Sequence, residues 1–173
     1  MSPKAHPDAL RSPPGLFRRL GALFYDGLLV LAVLFLATAL LLALRGGEAF
    51  PAGDLSLKVY LFGVVLVFFG WFWTREGQTL GMRAWKIRLK CVSGAKVSWR
   101  QAALRFLPAL FCLGLSESAA RFWPQAAVWV GWFSIGLFGL DFLWALVDPD
   151  KRCWHDLIAH TQMVSVGDAK NPA

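Results

Sequence analysis

Two aspartates lie inside long apolar stretches of this chain, and these are the residues placed to do chemistry. Asp26 is the one ionised group in residues 20–44, and Asp141 is the one in residues 126–147. A carboxylate in such surroundings is expensive, so it faces an interior, pairs with a cation or takes up a proton. Both are therefore candidate ion- or proton-binding groups. Arg19 precedes Asp26 by two helical turns, which places it on the same face but roughly 10 Å away along the axis. The expected cationic partner of Asp26 is Arg105, which a third span would bring to similar depth. Two readings stay open here: a carboxylate that binds a proton or cation, and a buried ion pair that fixes helix register.

A second group, Cys153, His155, Asp156 and His160, has the residue types of a metal site. On a helix, however, a five-residue spacing turns two histidines about 140° apart, unlike an i, i+4 zinc pair. No metal is expected. His155 and Asp156 are instead expected to bond to basics such as Arg83 or Arg152, docking the tail. Asp156 would also cap a short helix starting at Leu157. Gly77-Gln78-Thr79-Leu80-Gly81 reads as a tight turn, since no Gly-Lys-Ser/Thr follows to make a phosphate loop. Ser93 and Lys96 match a nucleophile dyad in letters only, without its partner motifs. No complete catalytic set is present, so neither an enzyme nor a cofactor is expected. The three cysteines, Cys91, Cys112 and Cys153, are too few and too far apart for a disulfide framework.

The elements that position these residues follow from composition. Of 173 residues 57% are hydrophobic and 17% charged, with a mean hydropathy of +0.50; a soluble domain carries about 25% charged residues. So much apolar surface points to the bilayer as solvent. Four stretches are candidates to cross it: residues 20–44, 57–73, 102–115 and 126–147. The first is longer than a signal-peptide core and contains Asp26, so it reads as a retained helix. The third is short and carries Arg105 and Pro108, so length alone suggests a re-entrant segment. Charge decides for a span. With four crossings, every Lys and Arg except Arg45, Lys58 and Arg121 falls on one side. The positive-inside rule makes that side cytoplasmic and puts both termini there. The net charge of +7 is thus an orientation signal.

The expected fold is an all-α membrane protein, a bundle of about four transmembrane helices with a small cytoplasmic β-hairpin/loop element in the insert 75–101. Within it, Trp85-Lys86-Ile87-Arg88-Leu89-Lys90 alternates with the period of a strand, a turn follows at 93–96, and residues 162–166 are a candidate companion strand. Arg83, Lys86, Arg88 and Lys90 would offer a cationic face to anionic lipid headgroups. Nucleic acid is not an expected partner, because no reader motif accompanies the basics. Residues 1–15, with four prolines, and 167–173 read as flexible tails.

Three separated blocks resemble the RDD family of small membrane proteins. Arg19, Ala22 and Asp26 resemble the family's Arg-x-x-Ala-x-x-x-Asp at the head of the first helix. Gly77, Thr79, Gly81 and Arg83, followed by Arg105, resemble the second block. Asp148, Pro149, His155, Asp156, Ala159 and Thr161 resemble the closing Asp-Pro…His-Asp-x-x-Ala-x-Thr. The resemblance spans about residues 15–166 and puts the name-giving Arg, Asp and Asp on Arg19, Asp26 and Asp156. Met82 departs from it, standing where the family usually has lysine. The resemblance implies a multi-pass inner-membrane protein of bacterial type, with exchange of monovalent cations for protons as one activity. The other class is a non-transporting scaffold or assembly factor that binds anionic lipid or a protein complex through its basic face. Asp26, Asp141 and Arg105 within the spans favour transport, the leading expectation; small size and the missing internal repeat favour the scaffold, unless copies assemble as a homo-oligomer around a shared pathway.

Overall fold

The computed structural model describes residues 13–166; the remaining parts of the two expected tails, 1–12 and 167–173, lie outside the described residues. Four helical stretches are long and apolar enough to cross a membrane: Leu16–Leu44, Leu55–Arg75, Trp99–Phe122 and Pro124–Val147. In chain order the elements are α1 (Leu16–Leu44), α2 (Leu55–Arg75), α3 (Leu80–Ala84), β1 (Ile87–Cys91), α4 (Trp99–Leu104), α5 (Leu107–Phe122), a 3₁₀ turn (Pro124–Ala126), α6 (Ala127–Val147), α7 (Trp154–Ile158) and β2 (Thr161–Ser165).

Local chemistry sets the boundaries. Asp54 starts α2, its Oδ1 accepting from the backbone N–H of Ser56 at 2.8 Å and of Leu57 at 3.2 Å. Ser98 and Gln101 make a reciprocal capping box at the head of α4. The third stretch breaks between α4 and α5 because Pro108 has no N–H to give the carbonyl of Leu104. That break sets Arg105 at the joint.

The two strands come from the middle and the end of the domain and pair antiparallel, with Ile87 opposite Ser165 and Cys91 opposite Thr161. The companion strand expected near the C-terminus is therefore the true partner of β1, and the element is not a hairpin. Ile87 and Leu89 are almost fully buried. With Met82, Val97, Ala102, Trp73 and Ala22 they form the hydrophobic core, at the end of the bundle where the sheet lies. The helix surfaces beyond this core expose large apolar side chains along their length, such as Phe24, Leu31, Phe35, Val67 and Trp129. Such a surface suits hydrocarbon.

Pro14 is fully buried, and its carbonyl accepts from Arg19 Nε at 3.2 Å; residues 13–15 thus belong with the fold and not with a tail. Trp71 is half exposed, as an interfacial anchor should be, whereas Trp73 is buried beneath Arg105, whose guanidinium carbon lies 4.7 Å from the ring centroid.

Candidate functional site

At the sheet end of the bundle Arg19, Asp26, Arg105, Asp141, His155 and Asp156 are withdrawn from water, beside the buried thiol of Cys153. Arg19 and Asp26 come from α1, Arg105 from the joint between α4 and α5, Asp141 from α6, and His155 and Asp156 from α7. They form three contacts, the second and third of which are linked.

The first contact joins α1 to the segment after α2. Gly77 turns the chain with a φ of 68° and allows Thr79 to start α3. Thr79 Oγ1 accepts from the Met82 N–H at 3.1 Å and donates to Asp26 Oδ2; the Gly81 N–H donates to Asp26 Oδ1 at 2.8 Å. Asp26 thus caps α3 from another helix, with both of its oxygens engaged. The close approach needs glycine, because a methyl group at Gly81 would lie 2.5 Å from the Ala22 carbonyl oxygen. Asp26 does not bond to Arg105, contrary to the expected pairing, nor to Arg19, which the helical spacing places too far away for a direct bond.

The second contact centres on Asp156. Arg105 Nη1 donates to Asp156 Oδ1 and, at 2.7 Å, to Thr161 Oγ1. Arg19 Nη1 stands 3.8 Å from Asp156 Oδ2, and the Cys153 N–H donates to that oxygen at 3.2 Å. Asp156 is the third residue of α7 and not the cap of a helix starting at Leu157. Burial disfavours its charge, but the Arg105 guanidinium and the His155 ring outweigh that and hold the carboxyl below the usual carboxylate range. Cys153 answers oppositely: burial and the neighbouring Asp156 charge push its thiol up to about 12.

The third contact joins α6 to α7. The His155 N–H donates to Asp141 Oδ1 at 3.0 Å, and His155 Nδ1 shares a hydrogen bond with Asp141 Oδ2. His155 Nε2 lies 3.9 Å from Asp156 Oδ1, which connects the second and third contacts. The expected partners of this pair are elsewhere: Arg83 pairs with Glu76, and Arg152 with Asp148 and Asp150. Sequence reasoning missed the Asp141–His155 contact, although a signal existed. Asp148-Pro149 reverses the chain, and Asp141 and His155 stand seven residues to either side of Asp148.

Cys153, His155 and Asp156 bring one ligand atom each within 4.8 Å of one another. Their lone pairs face cations, however: Arg19 Nη1 donates to Cys153 Sγ at 3.6 Å, and Arg105 occupies Asp156. This chemistry suits guanidinium more than a metal ion. His160 is exposed and takes no part.

Above the cluster lies a cavity of about 350 Å³ between the four long stretches, within the range of small-ligand pockets, roughly 300–1,000 Å³. Arg19, Asp26, Arg105 and His155 line its charged end; Phe62, Phe69, Phe138 and Phe142 are among its apolar walls. Met82, the departure from the motif, is buried and forms part of the wall. Further along the bundle, Ser116 and Ser134 hydrogen-bond at 3.2 Å between α5 and α6, and Lys58 meets Glu117 at 2.5 Å.

The family model of the RDD family matches residues 13–160, most of the chain. The chain belongs to the RDD family. With its four apolar helical stretches it is a multi-pass membrane protein. No curated protein and no solved structure matches it. The RDD match includes each residue of the three contacts except Thr161, which lies one position beyond it.

Among the expected lipid-facing basics the structure separates two pairs. Arg88 and Lys90 point from one face of β1, opposite to buried Ile87 and Leu89, whereas Arg83 is tied to Glu76 and Lys86 is exposed ahead of the strand.

Proposed function

We propose that this RDD protein exchanges a monovalent cation for a proton through its helix bundle, with the His155–Asp141 pair handling the proton. The charge balance of the buried cluster carries the reading. Asp26, Asp141 and Asp156 oppose Arg19 and Arg105, so one negative charge is left over. A proton on His155 neutralises it, and so does a bound monovalent cation; the two occupants compete for one charge. An imidazole can hold or release a proton, and His155 lines the cavity. Asp26 lines the cavity and contributes charge, but both of its oxygens hold α3 in place. Asp141 bonds through Oδ2 to the His155 ring that lines the cavity, so this reading assigns the exchange to Asp141 acting through His155.

The charged end faces the cytoplasm in this reading, with both termini there; the basic balance supports that orientation. The cell membrane is the setting. Reconstitution into liposomes with an internal pH dye and an imposed sodium or potassium gradient tests the reading, wild type beside Asp141→Asn and Asp26→Asn. Loss of exchange in the first, and retained exchange with lower stability in the second, is the expected pattern.

A second reading has its own support. Asp26 and Asp156 act as caps and clasps, and the exposed basics of the sheet end suit anionic headgroups; a non-transporting scaffold, alone or as a homo-oligomer, needs no more than this. It predicts no cation-dependent proton flux in any variant.

A further inference from the structure

Outside the buried cluster, a small cleft opens where the end of α2 meets β1 and the turn that follows it. Its volume is about 110 Å³, and four cations line it: Arg75, Arg88, Lys90 and Lys96. Among the described residues the one carboxylate on its wall, Glu76, is engaged by Arg83. Leaving Lys90 aside, Arg75, Arg88 and Lys96 still give the described wall of the cleft more positive than negative charge, in a space that suits one small anionic group. Arg88 carries a further sign of a missing partner. Its Nη2 donates to Gln78 Oε1 at 3.1 Å, but its Nε is buried with no hydrogen-bond acceptor, a condition that buried polar atoms rarely tolerate. Arg75 fixes the depth. It closes α2 and lies 4.0 Å over the ring of half-exposed Trp71, the stacking of a residue at the boundary between hydrocarbon and water.

We propose that this cleft is a binding site for a phosphate group, held by Arg88 and Lys96 with Arg75 and Lys90 on its rim. The guanidinium of Arg88 supplies the directional donor, and the surrounding cations supply charge. The group can arrive on a lipid of the adjoining leaflet or as free phosphate. The lipid source rests on the cytoplasmic orientation given above; binding itself does not depend on transport, and the test reads no flux.

The test uses the full chain purified in detergent. Native mass spectrometry follows retention of added phosphatidic acid against phosphatidylcholine, and thermal unfolding follows stabilisation by inorganic phosphate. Arg88→Gln and Lys96→Gln are compared with Lys86→Gln, which removes an equal charge outside the cleft. Lys96 is exposed, so its variant stays informative if Arg88→Gln folds poorly. The expected result is binding by the wild type, about tenfold weaker in the cleft variants and unchanged in Lys86→Gln. Selective retention of phosphatidic acid without a response to inorganic phosphate supports the site and assigns the lipid source; the reverse supports it and assigns free phosphate. Equal weakening in all three variants, or no binding of either probe by the wild type, overturns the proposal.

Discussion

Asp156 keeps its charge in a fully buried place because two guanidiniums and a backbone N–H surround it. Replacing it by Asn leaves Arg19 and Arg105 without their anion, and removing one partner of a buried pair costs about 3–5 kcal/mol. A lower melting temperature of the purified Asp156→Asn protein in detergent checks this. The acid dependence follows from the lowered pKa of Asp156. Its stabilisation is complete above the unfolded value of about 3.9 and is lost as pH falls through the lower folded value. Melting temperature should therefore decline below about pH 4 in the wild type, and this part of the decline should vanish in Asp156→Asn. The cysteines give an independent check. The thiol of Cys91 is lowered by hydrogen bonds, Ser93 first and then Gln101, whereas that of buried Cys153 is pushed up to about 12. Maleimide labelling of the native protein near pH 7.5, read by peptide mass spectrometry, should modify Cys91 and leave Cys153 intact. Labelling of Cys153 without denaturant would contradict its burial.

Among the elements, α3 depends on a residue outside it. Five residues make too short a helix to stand alone; α3 persists because Thr79 caps it and α1 supplies Asp26. Gly81→Ala pushes a methyl group against the Ala22 carbonyl and the Asp26 carboxylate, and such overpacking costs roughly 1–3 kcal/mol. Thermal unfolding should show that loss, while Gly114→Ala, with open space around it, should show none. The four apolar stretches were legible in the sequence because hydrocarbon imposes length and hydropathy on each helix separately. The strand periodicity of 85–90 and its distant companion were legible for a similar reason: alternation is local. The third stretch, 102–115 by apolar run, looked shorter than Trp99–Phe122 because Arg100 and Gln101 at one end and Ser116-Glu117-Ser118 at the other are polar yet helical. Arg105 and Pro108 lie inside it, one at the joint and the other making it.

For the whole molecule, the hydrophobic excess and the positive charge divide along one axis. Apolar helix surfaces face outward over most of the bundle, and the ionisable residues collect, buried, at the end where the sheet sits. That several intramembrane and tail charges belong together could be read from the sequence; which of them pair could not. Arg105 was matched to Asp26 on depth alone, whereas Asp26 is satisfied by Thr79 and Gly81, and Asp156 competes successfully for Arg105. Pairing is settled by the fold of the chain around the turns at Gly77 and Asp148, and neither turn has a periodicity that displays its outcome. Cation–proton exchange by the His155–Asp141 pair is the central claim at this scale. Its most direct test is cation-driven pH change inside liposomes that hold the wild type or Asp141→Asn, each verified as folded by its melting transition. Acidification or alkalinisation should follow the imposed cation gradient in the wild type and disappear in Asp141→Asn. An unchanged flux in Asp141→Asn, or none in a folded wild-type preparation of known orientation, would contradict the claim.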